Sequence, residues 1–127
     1  MIDEVISQFS SLQPEKYYDN AEIVHLTAKQ IIKDFAMFGL DIQFSGNTEF
    51  AYMELMGQMV ESIQSLLQHD SAKLFALMYQ IDLSQTAVDK CLGSSKNIAA
   101  HLADLVIRRE MLKVLTVKYF KELKNKN

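Results

Sequence analysis

The stretch KNIAAHLADLVIRREMLKVLTVKYFKEL, residues 96–123, decides the fold expected for this chain. Neither Pro nor Gly interrupts it, and most of its apolar residues recur at spacings of three and four, which is the period of an α-helix. At 1.5 Å per residue, this helix spans about 42 Å. A compact domain of this chain length has a diameter of about 36 Å. One end of the helix is therefore expected to project or to pack on another chain.

Residues 1–95 divide into five shorter predicted helices, separated by capping residues and by the few Gly and Pro. The signals used are Pro14, an Asp19 and Glu22 capping box, Gly39, Asp70 or Ser71, Ser84 and Gly93. The alternation of Leu40, Ile42 and Phe44 predicts an extended loop whose apolar side chains plug the bundle, because no second strand is available to pair with it.

The fold expected from these signals is all-α. It is a small orthogonal or mixed bundle of about five to six helices with a long C-terminal helix. We expect one domain over residues 1–127, with the last few residues disordered. A hydrophobic fraction of 49% and a charged fraction of 23% are typical of a globular protein.

The compartment expected from the sequence is the cytoplasm. Asp3 and Glu4 occupy positions where a secretory signal would carry Lys or Arg, and charged residues interrupt every apolar run before it reaches membrane-spanning length. The one cysteine, Cys91, has no partner for an internal disulfide.

Charge is divided unevenly along the chain. Residues 1–95 hold five Lys and 13 acids, a net charge of −8, while residues 96–127 hold eight Lys or Arg and three acids, a net charge of +5. The basic end can complement the dipole of its own helix or the acidic body of the same molecule. The other interpretations are an acidic partner, the acidic body of a second copy, or nucleic acid.

The long helix carries two apolar faces. The face expected to meet the core comprises Ile98, Leu102, Leu105, Val106, Leu112, Tyr119, Phe120 and Leu123. Ile107, Met111 and Val114 follow the i, i+4, i+7 spacing on roughly the opposite face and also need a cover. Either neighbouring helices of the same chain provide that cover, or these three residues form a protein–protein interface.

A helix-turn-helix is the alternative for residues 84–102. A short predicted helix, a turn at Gly93 and a following helix fit the outline, but Asp89 occupies a position where close helix packing favours a small residue. Lys96, Asn97 and His101 would form only a thin surface for reading DNA.

Catalytic and metal-binding signals are weak. Glu22 and His25 have the E-x-x-H spacing of di-iron bundles, but a second pair is absent, and no nucleophile, phosphate-loop or dinucleotide motif occurs. A group of Met and aromatic residues predicts either an adaptable apolar pocket or ordinary core packing. Its members are Phe35, Met37, Phe38, Tyr52, Met53, Met56 and Met59.

The function expected from the sequence is that of a non-enzymatic helical interaction module. It needs no cofactor or metal, and it self-associates, as a homodimer, through its C-terminal helix, or binds another protein. A DNA-binding regulator of the helix-turn-helix type is the second hypothesis, and no membrane partner is expected.

Overall fold

The computed structural model describes residues 13–94 and 96–125, apart from the side chains of Glu15 and Asn125. These residues form five α-helices and two short 3-10 turns, and none of them lies in a β-strand. The helices are α1 (Ala21–Ala36), α2 (Ala51–His69), α3 (Ser71–Ile81), α4 (Gln85–Leu92) and α5 (Ile98–Asn125), and the turns are Pro14–Tyr17 and Thr48–Phe50.

This architecture confirms the all-α bundle with a long C-terminal helix. The additional helix predicted before Pro14 lies outside the described residues. The disorder predicted for the last few residues stays a prediction, since α5 is described to Asn125 and residues 126 and 127 lie outside the described part.

The start of α1 differs by one residue from the prediction. The side chain of Asn20, not that of Asp19, accepts a hydrogen bond from the backbone N–H of Ile23 at 3.1 Å. The prediction of a capping box formed by Asp19 and Glu22 was therefore wrong. Glu22 faces α5 instead, where its carboxylate lies 2.9 Å from the Lys118 ammonium group.

The helix caps predicted at Asp70 and Ser84 agree with the structure. Asp70 and Ser84 each accept a hydrogen bond from a backbone N–H three residues later, so each satisfies a donor that the first helical turn leaves free. The chain leaves α1 through Gly39, whose φ of 73° lies in the left-handed region that glycine enters without steric penalty.

The loop between α1 and α2 is extended, as its alternating sequence predicts. Ile42 is buried in the core, and Leu40 and Phe44 are half-buried against it. The side chain of Gln58 accepts a hydrogen bond from the backbone N–H of Gln43 at 2.8 Å and donates one to the backbone carbonyl of Gln43 at 2.7 Å. A side chain from α2 thus replaces the partner strand that this loop lacks.

Helix α5 is the centre of the bundle and contacts all four other helices and the turn Pro14–Tyr17. Its fully covered side chains span more than half of the helix circumference at 100° per residue. They are Ala99, Leu102, Ala103, Val106, Ile107, Glu110, Met111 and Leu115. The buried arc is thus much wider than a single apolar stripe.

The predicted core face of α5 is only partly correct. Leu102 and Val106 are buried, but Phe120 is half exposed, while the opposite face with Ile107 and Met111 is covered. The predicted core face included large side chains near the end of the helix, and the bundle covers this segment less completely.

Candidate functional site

A groove of about 700 Å³ lies between α1 and the C-terminal part of α5. One side carries residues of α1 and the other residues of α5. The lining side chains are Glu22, Leu26, Lys29, Gln30, Lys33, Arg109, Lys113, Val114, Thr116, Val117, Lys118 and Lys121.

The floor of the groove is apolar and partly open to solvent. Val114 is half-buried, while Leu26 and Val117 are 37% and 57% exposed. Leu26 is an apolar residue of α1 that lies at the groove instead of in the core. A solvent-exposed apolar strip of this kind favours contact with another apolar surface.

The rim of the groove is basic, with six Lys or Arg side chains and one acid. Two of these cations are already paired: Lys118 with Glu22 at 2.9 Å, and Arg109 with Asp82 at 2.8 Å. A third, Lys113, binds buried carboxylates beneath the groove.

The other three cations are Lys29, Lys33 and Lys121. No described residue forms an ion pair or hydrogen bond with any of them. Their ammonium groups are thus available to an anionic partner, and close to the apolar floor.

Two carboxyl groups are buried beneath the groove. Asp34 on α1 and Glu110 on α5 are 2% and 0% exposed, and the ammonium group of Lys113 lies 3.4 Å from Asp34 and 2.8 Å from Glu110. The side-chain amide of Gln30 also donates to both oxygens of Asp34 at 3.2 Å. Lys113 is therefore held at the groove by the two carboxyl groups below it.

The pKa values of the two acids are shifted in opposite directions. For Glu110, loss of hydration and the hydrogen bond with Asp34 outweigh the attraction of Lys113 and raise its pKa to about 8. For Asp34, burial acts in the same direction, but hydrogen bonds from Glu110, Gln30 and Lys113 outweigh it and hold the pKa of Asp34 below its usual value. Together these effects favour a proton on Glu110 and an ionised Asp34, and the two groups titrate as a coupled pair.

Two of the three predicted interface residues lie in the core of the chain. Ile107 and Met111 are 3% and 2% exposed, and they border a void of only about 10 Å³ together with Tyr18, α1 and α2. The same chain covers these two residues, which is the alternative that the sequence left open. Of the three, only Val114 reaches a surface, at the floor of the groove.

The Met and aromatic residues do not converge on one pocket. Phe35 and Met59 are fully buried, whereas Met37, Tyr52 and Met53 are exposed. The hydroxyl of Tyr52 donates to Asp104 at 2.8 Å and thereby links α2 to α5. These residues are therefore divided between the core and the surface.

Neither the E-x-x-H spacing of Glu22 and His25 nor the alternative DNA-binding segment is joined by further candidate residues among those described. Among the described residues, no three His, Cys, Asp or Glu side chains are grouped as metal ligands, and Glu22 pairs with Lys118 while His25 is exposed. Lys96, just before α5, and His101, in its first turn, are exposed, but neither of them lines the groove.

The groove residues on α1 were not predicted from the sequence. The signal was present: Lys29 and Lys33 are four residues apart, so a helix places them on one face beside Leu26. The position of α5 alongside this face depends on tertiary packing, which the local spacing of residues does not reveal.

Comparison with protein-family models, curated proteins and solved structures finds no match for this chain. Over the described part of the chain, none of the helices combines the length and apolar character needed to cross a bilayer. The groove, with its apolar floor and the three lysines that no described residue pairs with, is the candidate functional site.

Proposed function

We propose that this protein is a non-enzymatic helical interaction module that self-associates through its C-terminal helix, with the α1–α5 groove as the contact surface. The observation that carries the proposal is the exposed apolar floor of Leu26, Val114 and Val117 beneath three unpaired lysines. An apolar floor rewards burial of apolar side chains, and the lysines select a partner that carries carboxylates.

The charge distribution supports a second copy of the chain as that partner. Residues 96–127 carry a net charge of +5 and residues 1–95 a net charge of −8, so each molecule offers both signs. Attraction between the basic groove of one copy and the acidic body of another would speed association and orient the two molecules.

A cytoplasmic location is part of the proposal. The thiol of Cys91 is buried, and loss of hydration raises its pKa, so it stays in the unreactive protonated form. A single buried thiol is the usual cysteine content of a protein from a reducing compartment.

The first test changes the floor of the groove. Val117→Lys places a charge where an associating partner would remove water, so self-association should be lost, while circular dichroism should still report a folded helical protein. Light scattering over a range of protein concentrations measures the oligomeric state. Tyr79→Lys is the matched control, because Tyr79 is 87% exposed on α3 and does not line the groove.

The expected result is a wild-type mass that rises with concentration, a monomeric Val117→Lys protein and a Tyr79→Lys protein that associates normally. Added salt should weaken the wild-type assembly because the lysines contribute attraction. A wild-type protein that stays monomeric at high concentration contradicts the proposal. If that monomer also binds a mixed-sequence DNA duplex with strong salt dependence, the DNA-binding hypothesis replaces it.

A further inference from the structure

The segment of residues 34–72 is entirely without Lys and Arg, and it contains six acids. Only Asp34 among them is buried in the core. Helix α2 and the loop before it therefore form a uniformly anionic region, which is the opposite of the groove between α1 and α5. One molecule thus carries both members of a complementary pair of surfaces.

A row of exposed residues, which includes two large apolar side chains, crosses this anionic region. Phe50 and Met53 are 56% and 74% exposed, and Gly57 and Glu61 follow them at spacings of four residues on the same outer side of α2. Glu49 is exposed beside Phe50. We call these five residues the acidic ridge.

Gly57 gives the ridge a recess in the middle of α2. Glycine is a poor helix former, and none of the described residues lies within 4 Å of a Cβ atom built at this position. Packing against the described part of the chain therefore does not require glycine here. A recess on an exposed helix face leaves room for the close approach of a second molecule.

We infer that the occupant of the α1–α5 groove is the acidic ridge of a second copy. Phe50 and Met53 would pack on the groove floor, and the ridge carboxylates would pair with Lys29, Lys33 and Lys121. This inference rests on the proposed function and specifies its partner surface. When each copy docks its ridge in the groove of the other, the contact repeats about a two-fold axis and closes a dimer.

Charge reversal tests this pairing directly. A groove variant carries Lys29→Glu and Lys33→Glu, and a ridge variant carries Glu49→Lys and Glu61→Lys. Each variant alone places like charges opposite each other at both contacts, so its dimer should be at least about tenfold weaker than that of the wild type. The substituted side chains form no hydrogen bond or ion pair with described residues, so both variants should stay folded.

Mixing the two variants supplies the decisive measurement. One contact then joins an unchanged groove to an unchanged ridge, and the other joins a reversed groove to a reversed ridge, so both contacts regain opposite charges. Sedimentation of the mixture should restore the dimer. Asp89→Lys is the control, since Asp89 is exposed on α4 and lies outside the groove and the ridge.

Gly57→Ala provides an independent test, because it is expected to stabilise the folded monomer and to weaken the dimer. In the monomeric groove variant, alanine should raise the melting temperature by about a few degrees, because it favours the helix and meets no neighbouring atom. In the wild-type background, the added methyl group should weaken the dimer by about tenfold if a second copy occupies the recess.

The outcomes distinguish the two proposals. A monomeric wild type overturns both of them. A wild-type dimer that is lost in the groove variant but unchanged in the ridge variant leaves the proposed function intact and overturns the assignment of the ridge. Failure of the mixture to dimerise, when both variants are folded and each has lost the dimer, also overturns the assignment.

Discussion

Both halves of α5 are rich in apolar residues, but their surroundings differ. Residues 98–111 contact helices on several sides, and Leu102, Val106 and Met111 are among their buried side chains. Residues 112–125 also contain large apolar side chains, yet Val117 and Phe120 are about half exposed. The number of neighbouring helices, not the apolar content of the helix, decides which half stabilises the bundle and which half offers a surface.

The largest expected difference between the halves comes from one substitution made in each. Met111→Lys buries a charge with no partner in the core and should lower the free energy of unfolding by several kcal/mol or prevent folding. Val117→Lys places the same side chain at an open groove and should change stability by at most about 0.5 kcal/mol. Thermal unfolding followed by circular dichroism measures both effects.

Equal melting temperatures for these two variants would contradict the assignment of the halves. A folded Met111→Lys protein that only loses its self-association would return Met111 to the role of an interface residue, because a charge is tolerated in the monomer only where water reaches it.

A smaller effect is expected from pH at the carboxyl pair beneath the groove. The pKa of Glu110 is raised from 4.5 in the unfolded chain to about 8 in the folded one, so between these values the folded state holds a proton that the unfolded state has lost. Stability should therefore fall as pH rises from about 5 to about 8, by up to a few kcal/mol, and then level off.

Glu110→Gln keeps the shape of the protonated side chain and cannot ionise, so it should remove this fall. Chemical denaturation at a series of pH values compares the variant with the wild type. The pKa of Asp34 is lowered, and its contribution to stability is lost only in more acidic solution, so the window above about pH 5 isolates Glu110. Parallel pH profiles for the two proteins would exclude a buried proton on Glu110.

The smallest effect is expected at the ion pair that joins α1 to the second half of α5. Glu22 and Lys118 lie 2.9 Å apart, but their side chains are 66% and 35% exposed, so water screens the attraction. A double-mutant cycle with Glu22→Ala and Lys118→Ala should give a coupling of at most about 1 kcal/mol that decreases with salt. A coupling of several kcal/mol would show that this half is also buried.

Much of the fold was determined by local sequence. The long helix, the caps at Asp70 and Ser84 and the stop at Gly39 follow from hydrogen-bonding and backbone preferences that act within a few residues. Such signals were sufficient to predict an all-α bundle. They failed at Asp19 because Asn20, an equally good cap, is its direct neighbour.

The faces of α5 and the groove were decided only by the tertiary structure. The side-chain pattern of a helix shows that Ile107 and Met111 need a cover, but long-range packing determines whether α1 and α2 or another molecule provides it. The same holds for Lys29 and Val117, which are distant in sequence and meet at the groove because two helices lie side by side. Local periodicity fixes which residues share a face of one helix, whereas a binding surface depends on how several helices pack.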